Sequence, residues 1–117
     1  MEEELVATLF EKIANGELSA EFLHRDELCF VIRDIAPLAP LHLLIIPEKP
    51  LKNLLSVDLA DVFLLGHLLQ VASEVARKFG DGRGFRVVIN SGDAAGQAVP
   101  HLHLHVLGGK NLDHSFG

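Results

Sequence analysis

Residues 101 to 107 read His, Leu, His, Leu, His, Val, Leu. Side chains of an extended strand alternate faces with a period of two. As a strand, the run therefore places His101, His103 and His105 on one face and Leu102, Leu104 and Val106 on the other. The apolar face belongs in a core, which anchors the strand while it presents a row of imidazoles. Burying three polar rings is costly unless each is hydrogen-bonded or liganded.

The rest of the 117 residues reads as one domain, 1–117, with no repeat, linker or low-complexity tract. Val6, Leu9, Phe10 and Ile13 recur at helical spacing and predict a short helix over Val6 to Asn15, stopped by Gly16. Phe22 to His24 and Leu28 to Arg33 read as two strands joined by a tight turn at Asp26 and Glu27. Leu41 to Ile46, closed by Pro47, reads as a strand buried on both faces. Asp58 to Phe79 is the longest periodic segment, with Asp58 as N-cap, Asp61 three residues on, Arg77 and Lys78 in the last turn, and Gly80 as the stop. Phe85 to Asn90 and His101 to Leu107 complete five strands. Five strands and two helices on short connections predict an α+β domain with a five-stranded, mostly antiparallel sheet. The Asp58 to Phe79 helix is apolar around more of its circumference than one sheet can cover. A homodimer built partly on it is the economical expectation, and cover by loops of the same chain is the alternative.

Composition narrows the function. Ten Lys and Arg against sixteen Asp and Glu give a net charge of −6, the wrong sign for tracking a nucleic-acid backbone. A small phosphorylated ligand stays possible, because backbone N–H groups and imidazoles hold phosphate without a basic surface. The single Cys29 cannot form an internal disulfide and rules out a Cys-based zinc site; inside a buried strand it reads as an inert small hydrophobe. His67, within the apolar helix, reads as a structural or interface histidine. The N-terminus is acidic where a signal peptide is basic, and the apolar runs are broken short of a membrane span. Together these predict a cytoplasmic protein with no membrane partner.

The imidazole row admits three readings. It could be a set of surface histidines. It could be a metal tripod with His42 as fourth ligand, although no carboxylate sits at an obvious spacing in the flanking segments. It could also serve nucleophilic catalysis, in which a neutral imidazole held in one tautomer attacks phosphorus. The preceding loop, Asn90 to Gln97, favours the last. Gly92 and Gly96 let backbone N–H groups approach an anion closely, while Asn90 and Gln97 add side-chain amides.

With these residues in view the chain resembles the histidine triad (HIT) superfamily, whose signature matches His101 to Leu107. Gly96 and Gln97 before the triad, Leu107, Gly108 and Gly109 after it, and the long helix resemble its Hint branch. Similarity extends over Phe10 to Ile13, Gly16 and Glu17, Asp34 to Pro37 and His42 to Pro47. The resemblance implies a HIT-like fold whose sheet extends across a homodimer, no cofactor and no metal. It also implies hydrolysis of phosphoramidate or related nucleotidyl bonds at the α-phosphate of a purine nucleotide, an AMP or GMP derivative. By position, His103 resembles the nucleophile that becomes nucleotidylated. His105 resembles the group that contacts the phosphate and helps protonate the leaving group, and His101 and His42 resemble members of the supporting network. Asp34 resembles the ribose-binding carboxylate. Leu9, Phe10, Ile13, Ile32 and Ile35 correspond to base-pocket walls, with core packing as the alternative, Asn90 to a phosphate or sugar contact, and Gln97 and Val99 to further nucleotide-binding positions. A nucleotide-binding module with little catalysis and a His-ligated metal-dependent hydrolase are the alternative functions.

Four positions depart from the branch. Pro50 stands where a further His is usual, Ala98 where many members have Ser, Ile32 where an aromatic is common, and the tail His114 to Gly117 lacks a Trp. Ala98 removes a hydroxyl beside the reacting phosphate, with an effect on rate of up to about a hundredfold by analogy with oxyanion donors.

Overall fold

Every residue of the run Leu41–Pro47 is buried, and this strand lies at the centre of the sheet. The computed structural model describes residues 8–114. We label the strands β1 (His24–Arg25), β2 (Cys29–Arg33), β3 (Leu41–Pro47), β4 (Phe85–Val88) and β5 (Leu104–Gly108). The helices are α1 (Leu9–Ala14) and α2 (Val62–Phe79). The sheet order is β1-β2-β3-β5-β4 with every neighbouring pair antiparallel. This is the α+β architecture expected.

Period-two alternation sorts β2 and β3 between two cores. Cys29, Val31, Leu43 and Ile45 face α2, where they meet Leu68, Val71, Ala72 and Val75 together with Leu102, Leu104 and Val106. Phe30, Ile32, Leu44 and Ile46 face the other way and meet Phe10 and Ile13 of α1. The sheet is thus covered on both sides, which explains the unbroken apolar run of β3. Cys29 is fully buried, and burial together with the Asp26 carboxylate pushes its thiol up to about 12, so it is no nucleophile.

Several boundaries differ from the sequence expectation. Of the first helix, Val6 lies outside the described residues; α1 starts after Thr8, whose hydroxyl accepts from the Glu11 N–H while the Glu11 carboxylate accepts from the Thr8 N–H. The turn between β1 and β2 is wider than two residues, because Asp26 Oδ1 accepts from the N–H groups of both Leu28 and Cys29. Asp58 caps a 3-10 turn, Leu59–Asp61, before α2 begins. The strand expected over Phe85 to Asn90 ends at Val88.

The expected strand over His101 to Leu107 pairs with β3 only from Leu104, opposite Ile45. Upstream, the Leu102 N–H is taken by the Leu51 carbonyl at 2.7 Å instead. Alternation nevertheless persists: Leu102 lies in the α2-side core, while His101 and His103 pack against Phe10 on the opposite face.

The apolar segment Leu59–Phe79, expected to fall short of a membrane span, is long and apolar enough for one by length and composition. Here its face of Leu64, Leu68, Val71, Ala72, Val75 and Ala76 is buried. Its second stripe, Leu59, Val62, Phe63 and Leu69, is exposed, Phe63 at 77%, so the described loops do not cover it.

Candidate active site

The antiparallel register brings the first two imidazoles together. His42 stands opposite Leu107 and His105 opposite Leu44, so the two histidines are diagonal neighbours on one face. His42 Nε2 lies 2.9 Å from His105 Nδ1. The Leu38 N–H donates to His42 Nδ1 at 3.0 Å, which makes that nitrogen an acceptor and leaves the ring proton of neutral His42 on Nε2. His42 therefore donates to His105 Nδ1. The proton of neutral His105 then resides on its other nitrogen, Nε2.

The same reasoning fixes the remaining rings. His103 Nδ1 is 2.7 Å from the His101 carbonyl, an acceptor only, so Nδ1–H donates and Nε2 keeps a free lone pair. His101 donates Nε2–H to the Pro47 carbonyl at 2.9 Å, with the Thr8 hydroxyl 3.5 Å from its Nδ1. Phe10 braces both rings edge-on, its centroid 5.0 Å from that of His103 and 5.9 Å from that of His101. The His103 and His105 centroids are 5.0 Å apart. A bare nitrogen and an N–H donor thus come from adjacent rings on one face. Such a pair can attack an electrophile and stabilise the charge that develops beside it.

Burial, then the neighbouring His103 and His42 rings, push the pKa of His105 down to about 4. Burial also lowers those of His42, against the pull of Asp34, and of His101, against its bond to Pro47. Asp34 follows β2 directly, and its Oδ2 lies 3.4 Å from His42 Nε2 while Oδ1 accepts from the Ala36 N–H at 2.8 Å. The carboxylate missing from the flanking sequence is therefore supplied from a distant segment. Ligand atoms of Asp34, His42 and His105 fall within 4.8 Å of one another, close enough to hold a divalent ion.

Gly92 and Gly96, at φ 95° and 85°, bracket the turn Asp93–Ala95 in the loop ahead of the triad. The Gln97 amide clamps this loop, donating to the Lys52 and Val99 carbonyls and accepting from Asn53 and the Gly92 N–H. Asn90 donates to the Ala95 carbonyl. Both amides expected at a phosphate thus shape the loop. Beside them a groove of about 530 Å³ is lined by Lys52, Asn53, Gly92, Gln97, Ala98 and Pro100.

Of the expected nucleotide-binding residues, Phe10, Ile13, Ile32 and Val99 form one apolar cluster on the triad's face. Leu9 is half exposed and Ile35, at 99% exposure, projects into solvent. His67 is remote from this group and bonds to Asp26. Sequence reading missed Thr8 and the backbone groups of Leu38, Pro47 and His101, which orient the rings; backbone groups carry no residue-type signal.

The HIT domain family model matches residues 15–112, which span the sheet, the long helix and the triad. The chain belongs to the HIT family. Among HIT relatives, a HIT-like protein of Synechococcus elongatus is 47% identical over 105 residues, covering 90% of this chain and 92% of the relative. A HIT-like protein of Synechocystis is 50% identical over 103 residues, covering 88% and 90%. A HIT family hydrolase from Legionella pneumophila, solved as a crystal structure, superposes with a TM-score of 0.89 at 40% identity, covering 92% of this chain and 97% of that one. A HIT family hydrolase from Clostridium thermocellum gives 0.89 at 36%, covering 92% and 95%. The two solved HIT hydrolases support a hydrolase of the HIT kind.

Proposed function

We propose that this HIT protein hydrolyses a phosphoramidate or related nucleotidyl bond at the α-phosphate of a purine nucleotide, through a covalent intermediate on His103. One observation carries the reading: the His101 carbonyl holds the proton of His103 on Nδ1 and so leaves Nε2 bare. In the first step the Nε2 lone pair forms a bond to phosphorus and the P–N bond breaks. The leaving nitrogen needs a proton. A bound phosphate's negative charge favours the charged form of a neighbouring imidazole, so His105 takes up a proton on Nδ1 with the substrate, its hydrogen bond from His42 giving way, and passes its Nε2 proton to the leaving nitrogen. Water then attacks phosphorus, the N–P bond breaks, and the proton released returns to His105. In this reading Asp34, beside His42, takes the ribose diol, and the apolar cluster of Phe10, Ile13, Ile32 and Val99 on the triad's face takes the base.

The exposed stripe Leu59, Val62, Phe63 and Leu69 supports a homodimer as the working unit. The deciding experiment mixes the protein with a slowly turned-over adenosine phosphoramidate and looks for an adenylate adduct by mass spectrometry. An adduct on His103 is expected. Full turnover by His103→Ala overturns the reading. The proximity of Asp34, His42 and His105 favours a second reading, a metal-dependent hydrolase, which predicts turnover that a chelator abolishes and a divalent ion restores.

A further inference from the structure

A second cluster of ligating side chains lies on the opposite, α2-covered face of the sheet. Asp26, in the turn between β1 and β2, directs Oδ2 at three groups from three elements. His24 Nε2 of β1 is 2.7 Å away, His67 Nε2 of α2 is 2.8 Å away, and Cys29 Sγ of β2 is 3.7 Å away. The ligand atoms of His24, Asp26 and Cys29 all fall within 4.8 Å of one another. The other carboxylate oxygen, Oδ1, is held by the Leu28 and Cys29 N–H groups at 2.7 and 2.9 Å, which fixes the carboxylate's orientation.

We propose that His24, Asp26, Cys29 and His67 form a zinc site that ties the β1–β2 turn to α2. Two imidazoles, a carboxylate and a thiol are a donor set of the N, O and S type that Zn²⁺ takes in tetrahedral geometry. Zinc bonds of about 2.0–2.1 Å to N and O and about 2.3 Å to S put tetrahedral ligand atoms roughly 3.3–3.6 Å apart. The Sγ to Oδ2 separation of 3.7 Å lies just beyond that range. His24 needs to draw back from Oδ2 by about half an ångström. His67 reaches Oδ2 but stands outside the group of atoms mutually within 4.8 Å, and has to swing in as the fourth ligand. Their side chains, 28% and 24% exposed, have room for this. The same partial exposure gives an ion a path to the buried sulfur. Binding converts the Cys29 thiol to a zinc-bound thiolate and releases its proton to solvent, while each imidazole moves its proton from Nε2 to Nδ1. A lone thiol cannot make a cysteine-rich site, but the fold sets this one beside His24 and Asp26, with His67 on the same carboxylate oxygen. The site shares no residue with the imidazole row, so its role is to brace the fold.

Cobalt titration of chelator-treated protein tests this. The chain has no Trp and no Tyr, so a thiolate-to-cobalt charge-transfer band in the near ultraviolet stands clear of protein absorption. The expected result is saturation at one equivalent, with tetrahedral d–d bands and that charge-transfer band. Both bands are lost in His24→Gln and His67→Gln and kept in His42→Gln. Zinc should raise the melting temperature of the wild-type protein and leave that of His24→Gln unmoved. No cobalt bands, bands without a thiolate component, or bands that survive both the His24 and His67 substitutions would overturn the site. In those cases the cluster is a carboxylate accepting two imidazole hydrogen bonds.

Discussion

His42 Nε2 stands 2.9 Å from His105 Nδ1, and the direction of that hydrogen bond is set four residues upstream of His42 by the Leu38 N–H. The relay puts the proton of His105 on the nitrogen that faces away from His42. Removing it in His42→Ala frees His105 to adopt either tautomer. Turnover should fall by about 10²–10⁴, the range seen when a catalytic imidazole loses its orienting partner, with KM changed much less than kcat. Steady-state kinetics on an adenosine phosphoramidate reads both constants, and unchanged kcat argues against the relay.

Acid should destabilise the fold in two windows. His105 has its pKa lowered to about 4 against about 6.5 in an unfolded chain, so below about pH 6.5 the unfolded state binds more protons than the native one. Stability is therefore full above that pH and is lost as pH falls through about 4, and the lowered His42 and His101 add to the same slope. Asp26 acts lower down. Burial raises its pKa, but hydrogen bonds from His24, His67 and the Leu28 and Cys29 N–H groups outweigh burial and hold it well below the usual carboxylate range, so its contribution disappears only below about pH 4. Urea midpoints at pH 7, 5.5 and 4.5 test the upper window. The His105→Asn variant should show a shallower fall than the wild type.

Gln97 is the clamp of the loop before the triad, with four hydrogen bonds to partners on both sides. Gln97→Ala leaves the Asn53 amide and the Lys52 and Val99 carbonyls to find water. A cost of about 1–3 kcal/mol is expected, the order of the penalty for leaving part-buried polar groups without their partner, measured by denaturant unfolding. Turnover should fall alongside, because the loop's N–H groups lose their aim.

Ala98 lines the groove beside that loop where many family members carry Ser. Restoring the hydroxyl in Ala98→Ser should raise kcat, by up to about a hundredfold if it donates to the reacting phosphate. A rise confined to some leaving groups would locate the groove as their binding place. No rise with any leaving group means the hydroxyl has no role in this chain.

Phe63 is the largest member of the uncovered stripe on α2. Phe63→Glu sets a charge into any apolar contact made there and should convert a dimer to a monomer in sedimentation velocity. If the wild type is itself monomeric at micromolar concentration, the stripe has another partner.

Much of the site was legible because β-strand alternation is a local rule. Leu102, Leu104 and Val106 face one core and His101, His103 and His105 the other side even where the ladder is broken. The β3 run announced its burial on both faces for the same reason. The start of β5 was not legible, because the carbonyl that captures the Leu102 N–H belongs to Leu51, a long-range partner with no sequence mark. The loop-closing hydrogen bonds of Asn90 and Gln97 were not legible either, because their partners are backbone groups and a distant amide with no sequence mark.

The sequence by itself determined the sheet, the two helices, the imidazole row and the family, since periodicity, caps and the triad signature are properties of neighbouring residues. Only the tertiary structure decided the chemistry of each ring. A histidine's free nitrogen depends on which group bonds the other, and those groups are the Leu38 N–H, the Pro47 carbonyl and the His101 carbonyl. The fold also decided that Asp34 joins His42, and that His24, Asp26, Cys29 and His67 meet at one carboxylate oxygen. Strand register and helix docking set those distances, and they emerge only when the two cores close on the sheet.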